Sequence, residues 1–563
     1  MKIVSSFKTK LPSLKNSLLA IFSAILLILA FPDFEIWFLA YIALVPLFYA
    51  VEREKESVIK SFALGWVFGT AFFFGSCWWL AFPMTHYASI PAPIAYSLVL
   101  LATLTVGLIP AIFTASLSIL LKRFGTLAIL AAPFLWTATE FLRFYVTGNN
   151  WNAIAYSQAF DVGTIKYASI GGIYLVGFLV VFVNVWLPLL FYYPYLFWEK
   201  TIKKIWANIL QVRNNESPRL IETDESPIFK KRKKILSFIL LGLLAFQIIF
   251  IFILTVPETP KNDYLPLTRV IAIQPNVPMS GLKYEDWQRL RERHVQLSEQ
   301  ALQSERATTN NQLPTTIIFP ESPMNFEYAR DREFQEFIKN FTAKNNVSVL
   351  FNAAEPALDE GVYNSAVLVG ERGERIAQYD KIHLLPFGEF VPLPSPLAEF
   401  VPPVVGNFEF GKTYDLIPLG NGVQAGVMIC FESHFPTLSR EYAREGADVL
   451  VELTNDGYLG NTPVLRQHLA NAVFRAVETN HPVLRVTNVG ITAFINERGE
   501  VLDATKPYTE DTRVWTISKS GGARTFYVKY GDWFAWLCSS VSLILLAVSF
   551  WKKLPQKFTK DTN

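Results

Sequence analysis

Residues 422–433 read GVQAGVMICFES, an apolar run that ends in a cysteine followed by an aromatic and an acidic residue. The run from Gly422 to Ile429 has the length and apolar content of a buried strand. The amphipathic segment Phe435–Glu445 predicts a helix shortly after it. A side chain at such a strand-to-helix turn is held by a rigid scaffold, as in a nucleophile elbow. Cys430 is therefore a candidate nucleophile.

Strands and helices alternate on both sides of this stretch, over residues 257–531. The predicted strands are Arg269–Gln274, Thr316–Phe319, Val347–Asn352, Asp448–Leu453, Val483–Thr487 and Ile491–Ile495. The predicted helices are Glu285–Ser304, Asp331–Lys344 and Val464–Glu478. Such alternation predicts a layered α/β domain with helices covering the sheet, and the segment is long enough to bury a core.

The rest of the chain is apolar enough for a membrane protein. Of 563 residues 51% are hydrophobic and 15% aromatic, and the mean hydropathy is +0.27. Eight apolar runs can form spanning helices: Leu18–Ala30, Trp37–Ala50, Phe62–Phe82, Ile94–Leu121, Leu127–Val146, Tyr167–Tyr192, Leu236–Leu254 and Trp533–Trp551. A cleaved signal peptide is the alternative for the first run, but the second follows at once without a small-residue cleavage site.

Basic residues indicate the orientation of these helices, because cytoplasmic loops are enriched in Lys and Arg. They collect in every second loop, namely at Lys8–Lys15, Arg53–Lys60, Lys122–Arg123, Lys200–Lys204, Lys230–Lys234 and Lys552–Lys557. We therefore expect both termini in the cytoplasm. Three parts follow: a membrane domain over 1–256, an extracytoplasmic domain over 257–531, and an eighth helix with a basic tail over 532–563.

Charge and cysteine content exclude several functions. The net charge of +3 is too small to indicate nucleic-acid binding, and no Gly-rich phosphate loop indicates a nucleotide. The three cysteines are Cys77, Cys430 and Cys538, and the first and last lie in apolar runs. Neither a disulfide framework nor a metal site is expected, and no cofactor is predicted.

Three residues that directly follow or flank apolar strands have the chemistry that a thiol nucleophile needs. A carboxylate such as Glu321 can take the thiol proton, and a cation such as Lys381 can stabilise the thiolate and an oxyanion. A Cys–His arrangement is the alternative, because His383 and His434 flank two of the motifs. It ranks lower, since Glu321 and Lys381 already fill the required roles beside Cys430.

The motifs around these residues resemble a known superfamily. Phe-Pro-Glu-Ser at 319–322, Asp-Lys-Ile-His at 380–383 and Ile-Cys-Phe-Glu at 429–432 are similar to the three signatures of the nitrilase (carbon–nitrogen hydrolase) superfamily. The resemblance implies an α-β-β-α sandwich with a Glu-Lys-Cys triad. It implies Glu321 as general base and acid, Lys381 as transition-state stabiliser and Cys430 as nucleophile.

Eight helices around one such domain resemble the apolipoprotein N-acyltransferase family, over nearly the whole chain. Further similar stretches are PFGEFVP at 386–392, TNDGY at 454–458, QH at 467–468, RAVE at 475–478 and RVTN at 485–488. The resemblance implies that Glu389 supports the triad and that Glu432 lies beside the nucleophile. Phe431 stands where a tyrosine is common, and Tyr284 where a tryptophan is common; both keep a ring that can position substrate.

Two features of the membrane portion are also similar to that family. Glu140 and Arg143 lie at i, i+3 spacing near the outer end of the predicted fifth helix. They are either a functional, substrate-binding pair or a structural ion pair between helices. The polar and aromatic segment Gly148–Gln158 either lines a lipid entry route or forms an interfacial belt.

The resemblance implies a ping-pong reaction at the bacterial cytoplasmic (inner) membrane, on its periplasmic side. Cys430 would take a fatty acyl chain from a phospholipid as a thioester. It would then pass the chain to the α-amine of the diacylglyceryl-cysteine of an apolipoprotein. Two alternatives stay open: a membrane-anchored amidase that uses the same triad, and a receptor whose extracytoplasmic domain is not catalytic.

Overall fold

The computed structural model describes residues 11–32, 34–189, 265–279, 284–308, 313–321, 327–357, 361–392, 407–520 and 524–551. Its α-helices are α1 Leu14–Ala30, α2 Val45–Glu54, α3 Val58–Cys77, α4 Ala81–His86, α5 Ala92–Val106, α6 Leu108–Phe124, α7 Ala132–Thr147, α8 Ala168–Leu189, α9 Tyr284–Thr308, α10 Arg332–Asn345, α11 Pro436–Glu445, α12 Val464–Thr479, α13 Phe526–Tyr530 and α14 Trp533–Trp551. Val162–Ile165 forms a single helical turn. Short 3-10 helices lie at Trp37–Tyr41, Trp78–Leu80, Thr126–Ala131, Ile154–Gln158, Cys430–His434 and Asp456–Leu459.

All strands among the described residues lie after residue 267. They are β1 Thr268–Gln274, β2 Thr315–Ile318, β3 Ser348–Pro356, β4 Val362–Val369, β5 Arg375–Asp380, β6 Phe408–Glu409, β7 Leu416–Gly420, β8 Val423–Ile429, β9 Val449–Thr454, β10 Val483–Thr487, β11 Ala493–Ile495, β12 Val501–Leu502 and β13 Asp511–Ile517. This sheet domain and the helices before residue 188 belong to one compact unit.

Five helical stretches are long and apolar enough to cross a membrane, counting only the described residues. They are Val58–His86, Ala92–Phe124, Thr126–Thr147, Ala168–Leu189 and Trp533–Phe550. Each coincides with a predicted span, and α1 is a shorter apolar helix at the first predicted span. The predicted seventh span, Leu236–Leu254, lies outside the described residues.

The predicted second span, Trp37–Ala50, is not one helix in the structure. A 3-10 helix covers Trp37–Tyr41, and a separate α-helix runs from Val45 to Glu54. Pro46 lies in the first turn of that helix. Because proline lacks an N–H and has a fixed φ, it is favoured at a helix start and disfavoured within a helix. The proline therefore accounts for the break.

Helices α3 and α6 pack closely through glycine. A Cβ on Gly65 would overlap the Pro110 carbonyl and the Thr114 hydroxyl of α6. Gly69, one turn further along, faces Pro110 and Gly107 in the same way. Small residues at such crossings let helix backbones approach, which is how helices associate in a membrane.

The sheet domain is a four-layer sandwich. One sheet has the order β13-β1-β2-β3-β4-β5, with β6 beside β4, and the other has the order β12-β11-β10-β9-β8-β7. Helices α9 and α10 contact the first sheet, and α11 and α12 contact the second, while β1, β2, β4 and β5 of the first sheet face the second. The predicted α-β-β-α sandwich is confirmed.

Parallel strands form the centre of the second sheet and lead to the nucleophile. Strands β8, β9 and β10 pair in parallel, and every residue of β9 and β10 is buried. Helix α12 is buried on all sides except at Arg466. Because one side of this helix covers the sheet and another contacts the membrane-domain segment Ile154–Gln158, it is an interior helix between the two parts.

We predict that Gly65→Ala destabilises the protein and that Gly75→Ala on the same helix does not. The new methyl group at residue 65 meets backbone atoms of α6, whereas at residue 75 it meets the end of the flexible Ile28 side chain. Overpacking of this kind costs about 1–3 kcal/mol. Thermal unfolding in detergent should show a lower midpoint for Gly65→Ala, and equal midpoints for both variants would contradict the packing described.

Candidate active site

Cys430 occupies a strained turn between a strand and a 3-10 helix. Strand β8 ends at Ile429, and the 3-10 helix begins at Cys430, whose φ of 51° lies in the left-handed region. A non-glycine residue in that region persists only where its surroundings hold it. The half-buried thiol therefore projects from a turn that the fold constrains, as the nucleophile-elbow prediction expects.

Glu432 joins this turn to the segment that carries Lys381. Its Oε2 accepts a hydrogen bond from the Ile429 N–H at 2.9 Å. Its Oε1 accepts from the Tyr379 hydroxyl at 2.7 Å and from the backbone N–H groups of Ile382 and His383 at 2.8 and 3.0 Å. Burial raises the pKa of Glu432 to about 7. One fully buried carboxyl thus holds the end of β5 against the nucleophile turn.

Lys381 lies in a chain of polar groups that leads to Glu321. Its side chain is 1% exposed, and its Nζ lies 2.8 Å from Oε1 of Glu389. Asn364 Nδ2 donates to the same Glu389 oxygen at 2.7 Å and to Glu321 Oε1 at 3.4 Å. The Leu385 N–H donates to the other Glu389 oxygen at 2.7 Å. Glu389 thus contacts Lys381 directly and is linked to Glu321 through Asn364.

The electrostatics of these groups favour a neutral thiol beside a carboxylate base. Burial raises the pKa of Cys430 well above its usual range, and the Glu321 carboxylate raises it further. Burial also raises the pKa of Glu321, while Lys381 and a hydrogen bond with Cys430 lower it. Burial lowers the pKa of Lys381, but Glu389 and Glu321 outweigh this and keep it a cation. The thiol at rest therefore keeps its proton, with an acceptor in contact.

A loop of the membrane domain forms one wall of this site. Trp151 stacks on Phe431 with 6.4 Å between ring centroids, and it lies 5.4 Å from the ring of His434. The Asn150 N–H donates to His434 Nε2 at 2.9 Å. The nucleophile turn is thus in direct contact with residues that follow α7.

Glu140 and Arg143 hold this loop in place. Glu140 Oε1 accepts from the Ile154 N–H at 2.9 Å, and Arg143 Nη1 donates to the Trp151 carbonyl at 3.0 Å. Both side chains are buried. Their hydrogen-bond partners are backbone groups of the loop that carries Trp151, which is the loop that contacts Phe431 and His434.

Gln467 connects the sheet domain to three membrane segments. Its Oε1 accepts from the indole N–H groups of Trp79 and Trp151 at 3.2 and 3.1 Å, and from Asn152 Nδ2 at 3.4 Å. Its Nε2 donates to the carbonyls of Pro32 and Ser76 at 3.1 and 3.0 Å. All these contacts come from one side chain that is 4% exposed.

The structure brings together most of the predicted site residues. Glu321, Lys381, Glu389, Cys430 and Glu432 lie close enough for their charges to affect one another, and Phe431 is the neighbour of Cys430 in the same 3-10 helix. Tyr284 begins α9, but its side chain lies outside the described residues. Asn364, Gln467 and His468 were not predicted as site residues. The last two do form the stretch at 467–468 that resembles the family.

Neither histidine of the alternative arrangement is placed as a base for the thiol. The Nε2 of His434 is occupied by the Asn150 N–H, and burial lowers the pKa of His434 to about 3. His383 stacks on Phe435 with 4.0 Å between centroids, and burial lowers its pKa to about 4. Among the described residues there is also no cluster of His, Cys, Asp and Glu that could hold a metal ion.

Both halves of the chain match known protein families. Residues 23–186 match the apolipoprotein N-acyltransferase N-terminal domain, and residues 269–525 match the carbon-nitrogen hydrolase family. The apolipoprotein N-acyltransferase of Geobacter metallireducens is 30% identical, over 96% of this chain and 96% of its own. The chain belongs to the apolipoprotein N-acyltransferase family.

A second relative extends the similarity within this family. The apolipoprotein N-acyltransferase of Thermotoga maritima is 28% identical over 94% of this chain and 92% of its own. Among solved structures, Saccharomyces cerevisiae Nit3, a member of branch 10 of the nitrilase superfamily, aligns with 46% of this chain and 93% of its own at 17% identity and a TM-score of 0.35. As a member of the acyltransferase family, the protein is a membrane-bound acyltransferase with a nitrilase-like domain.

We predict that Gln467→Leu lowers the stability of the protein more than Gln335→Leu. The first change leaves the Trp151 indole N–H without its acceptor and the buried Pro32 carbonyl without its donor, while the Trp79 indole N–H keeps the Ser76 carbonyl. Each buried polar group left without a partner costs about 1–3 kcal/mol. Gln335, on α10, donates one hydrogen bond to the Tyr328 carbonyl and is only partly buried. Thermal unfolding midpoints measure the difference, and equal shifts would show that the junction does not depend on Gln467.

Proposed function

We propose that the protein transfers a fatty acyl chain from a phospholipid to the α-amine of a diacylglyceryl-cysteine at the N-terminus of an apolipoprotein. Family membership supports the reaction. The position of Cys430 carries the proposal, because the thiol has a carboxylate and a cation beside it and a membrane-domain loop against its turn. A nucleophile at that junction can meet donors and acceptors that are anchored in a bilayer.

In the proposed first step the thiol of Cys430 attacks the ester carbonyl of the phospholipid. Glu321 takes the thiol proton, and Lys381 stabilises the negative charge on the tetrahedral oxygen. The carbon–oxygen bond then breaks, Glu321 returns the proton to the leaving alkoxide, and a lysophospholipid departs. The raised pKa of Cys430 makes a base necessary, which fits a contacting carboxylate.

In the proposed second step the free amine of the lipoprotein attacks the thioester carbonyl. Glu321 accepts a proton from the amine, the carbon–sulfur bond breaks, and the thiolate regains that proton. The product is an amide, and the enzyme returns to its starting state without a cofactor. Water competes with the amine in this step. The membrane-domain loop that places Trp151 against Phe431 would therefore also restrict the access of solvent to the thioester.

The membrane helices support this chemistry by concentrating its substrates. Both substrates are lipids, and anchoring the catalytic domain at the bilayer raises their effective concentration at the site. We place the catalytic domain, residues 257–531, on the periplasmic side of the bacterial inner membrane. Residues 1–256 and 532–563 form the membrane portion, with both termini in the cytoplasm, because the basic loops alternate in that sense.

Intact mass spectrometry of the protein with phospholipid and no acceptor tests the thioester. We expect a mass increase equal to one acyl group, which hydroxylamine removes and which a diacylglyceryl lipopeptide discharges as an N-acylated product. Cys430→Ala should abolish the adduct. Cys538→Ala is the matched control, because that cysteine is buried in α14, and it should keep the adduct.

Two results would contradict this proposal. A folded protein that never acquires the adduct would exclude a phospholipid donor. An adduct that water discharges at the same rate with and without lipopeptide, releasing fatty acid, would indicate a hydrolase such as the amidase alternative.

Cysteine labelling in spheroplasts tests the orientation. In a background of Cys77→Ala, Cys430→Ala and Cys538→Ala, a single Glu371→Cys should react with a membrane-impermeant maleimide, because that exposed residue lies between β4 and β5. A single Glu56→Cys should react only after lysis, because that exposed residue lies in a basic loop between α2 and α3. The reverse labelling pattern would invert the proposed topology.

A further inference from the structure

Four ionisable side chains form a buried cluster directly behind the nucleophile. Glu452 lies on β9, Asp456 follows that strand, Arg485 lies on β10 and His468 on α12. All four are 4% exposed or less. The proposed chemistry uses none of them, so their burial needs a separate explanation.

The cluster is arranged as two acids and two bases. Arg485 Nη2 lies 2.7 Å from Asp456 Oδ2, and its Nη1 lies 2.5 Å from Glu452 Oε2. His468 Nδ1 lies 2.7 Å from Asp456 Oδ1, and its Nε2 lies 3.1 Å from Glu452 Oε1. With His468 protonated the four charges sum to zero, which is the arrangement that offsets the cost of burying them.

His468 also contacts the backbone of the nucleophile. Its Nε2 lies 3.1 Å from the Cys430 carbonyl oxygen, while its Nδ1 faces Asp456. A carbonyl and a carboxylate both only accept hydrogen bonds. Imidazole donates from both nitrogens only as the imidazolium, so this environment requires the protonated form.

We propose that His468 is a positioning residue, whose imidazolium holds the Cys430 carbonyl and thereby keeps the nucleophile in its left-handed conformation. The inference rests on the proposed acyl transfer through Cys430. Without His468, the hydroxyl of Ser433 at 3.4 Å is the other side-chain donor near this carbonyl. With only this long hydrogen bond to its carbonyl, Cys430 can leave the left-handed conformation. The thiol then moves away from its position beside Glu321 and Lys381.

The arrangement explains why the cluster contains two carboxylates. Burial and the Arg485 charge lower the pKa of His468, but Asp456 and Glu452 raise it to about 9. Arg485 in turn holds the pKa of Asp456 down, to about 2, although burial opposes this. The acids keep the histidine charged at neutral pH, and the arginine keeps the acids ionised.

Two substitutions of His468 separate positioning from folding. The amide nitrogen of glutamine can occupy the place of Nε2 and still donate to the Cys430 carbonyl, whereas that of asparagine can occupy only the place of Nδ1. We expect His468→Asn to slow single-turnover acylation of Cys430 at saturating phospholipid by about 100-fold, and His468→Gln by about tenfold or less. The apparent KM for phospholipid should change little.

His481→Gln is the matched control. This histidine is also 4% exposed and lies just beyond the end of α12, but it contacts the Thr479 carbonyl. The rate of Cys430 acylation in His481→Gln should stay within about twofold of the rate in the unmodified protein. Equal rates for His468→Asn and His468→Gln, or rates that follow thermal stability across all three variants, would overturn the proposal.

The unmodified protein offers a measurement that needs no variant. A thiol normally reacts faster as pH rises, but the acylation rate should fall as pH rises through about 9, where His468 loses its proton. The charged and titratable groups facing His468 are Glu452, Asp456, Arg485, His434 and Cys430. The pKa of His468 is higher in the folded protein than in the unfolded chain. The stabilisation of the fold by this proton is therefore complete below about pH 6.5 and is lost as the pH rises through about 9.

A rate that stays level or rises to pH 10 in folded protein would overturn the role of His468. Failure of the proposed acyl transfer is recognised separately, because the unmodified protein would then acquire no adduct at any pH. In that case the rate of Cys430 alkylation by iodoacetamide gives the same comparison of variants. Equal alkylation rates for the unmodified protein and His468→Asn would also overturn the inference.

Discussion

The side-chain amide of Gln467 hydrogen-bonds to three membrane segments, and the next residue along the same helix contacts the nucleophile backbone. A buried amide is expensive to leave unpaired in a low-dielectric interior, so its contacts admit one arrangement of the surrounding segments. Because Gln467 and His468 are neighbours on the continuous helix α12, the same arrangement brings His468 to the Cys430 carbonyl. The geometry of the site therefore depends on how the two halves of the chain dock.

Charge pairing is the second constraint on this interior. Arg475 and Glu478 form a fully buried pair at 2.7 Å, and the cluster around Arg485 balances its own charges. Unpaired charges at such depth would cost several kcal/mol each. The reacting centre is the exception, since two carboxylates share one lysine there. Burial and this excess of negative charge together raise the pKa of the Cys430 thiol.

Much of the fold could be predicted because its signals are local. The predicted strands and helices around β1, β9, β10, α10 and α12 lie within a few residues of the observed ones. Strands β4, β5, β6, β7, β12 and β13 were not predicted. Strand β13 begins with three polar residues, Asp511 to Arg513, and is defined by pairing with β1, its partner from the far end of the domain. Such pairing cannot be derived from a local pattern of hydrophobic residues.

The same distinction applies to the site. By itself, the sequence determined the apolar helices, the layered domain and the polar residues at strand ends, because run length and periodicity depend on neighbouring residues. It also marked Glu321, Lys381 and Cys430, since each directly follows or flanks an apolar run. Only the tertiary structure decided that Gln467 joins the two halves and that His468 contacts the backbone of Cys430. Both residues lie within a buried helix, and their partners are tens to hundreds of residues away in the chain.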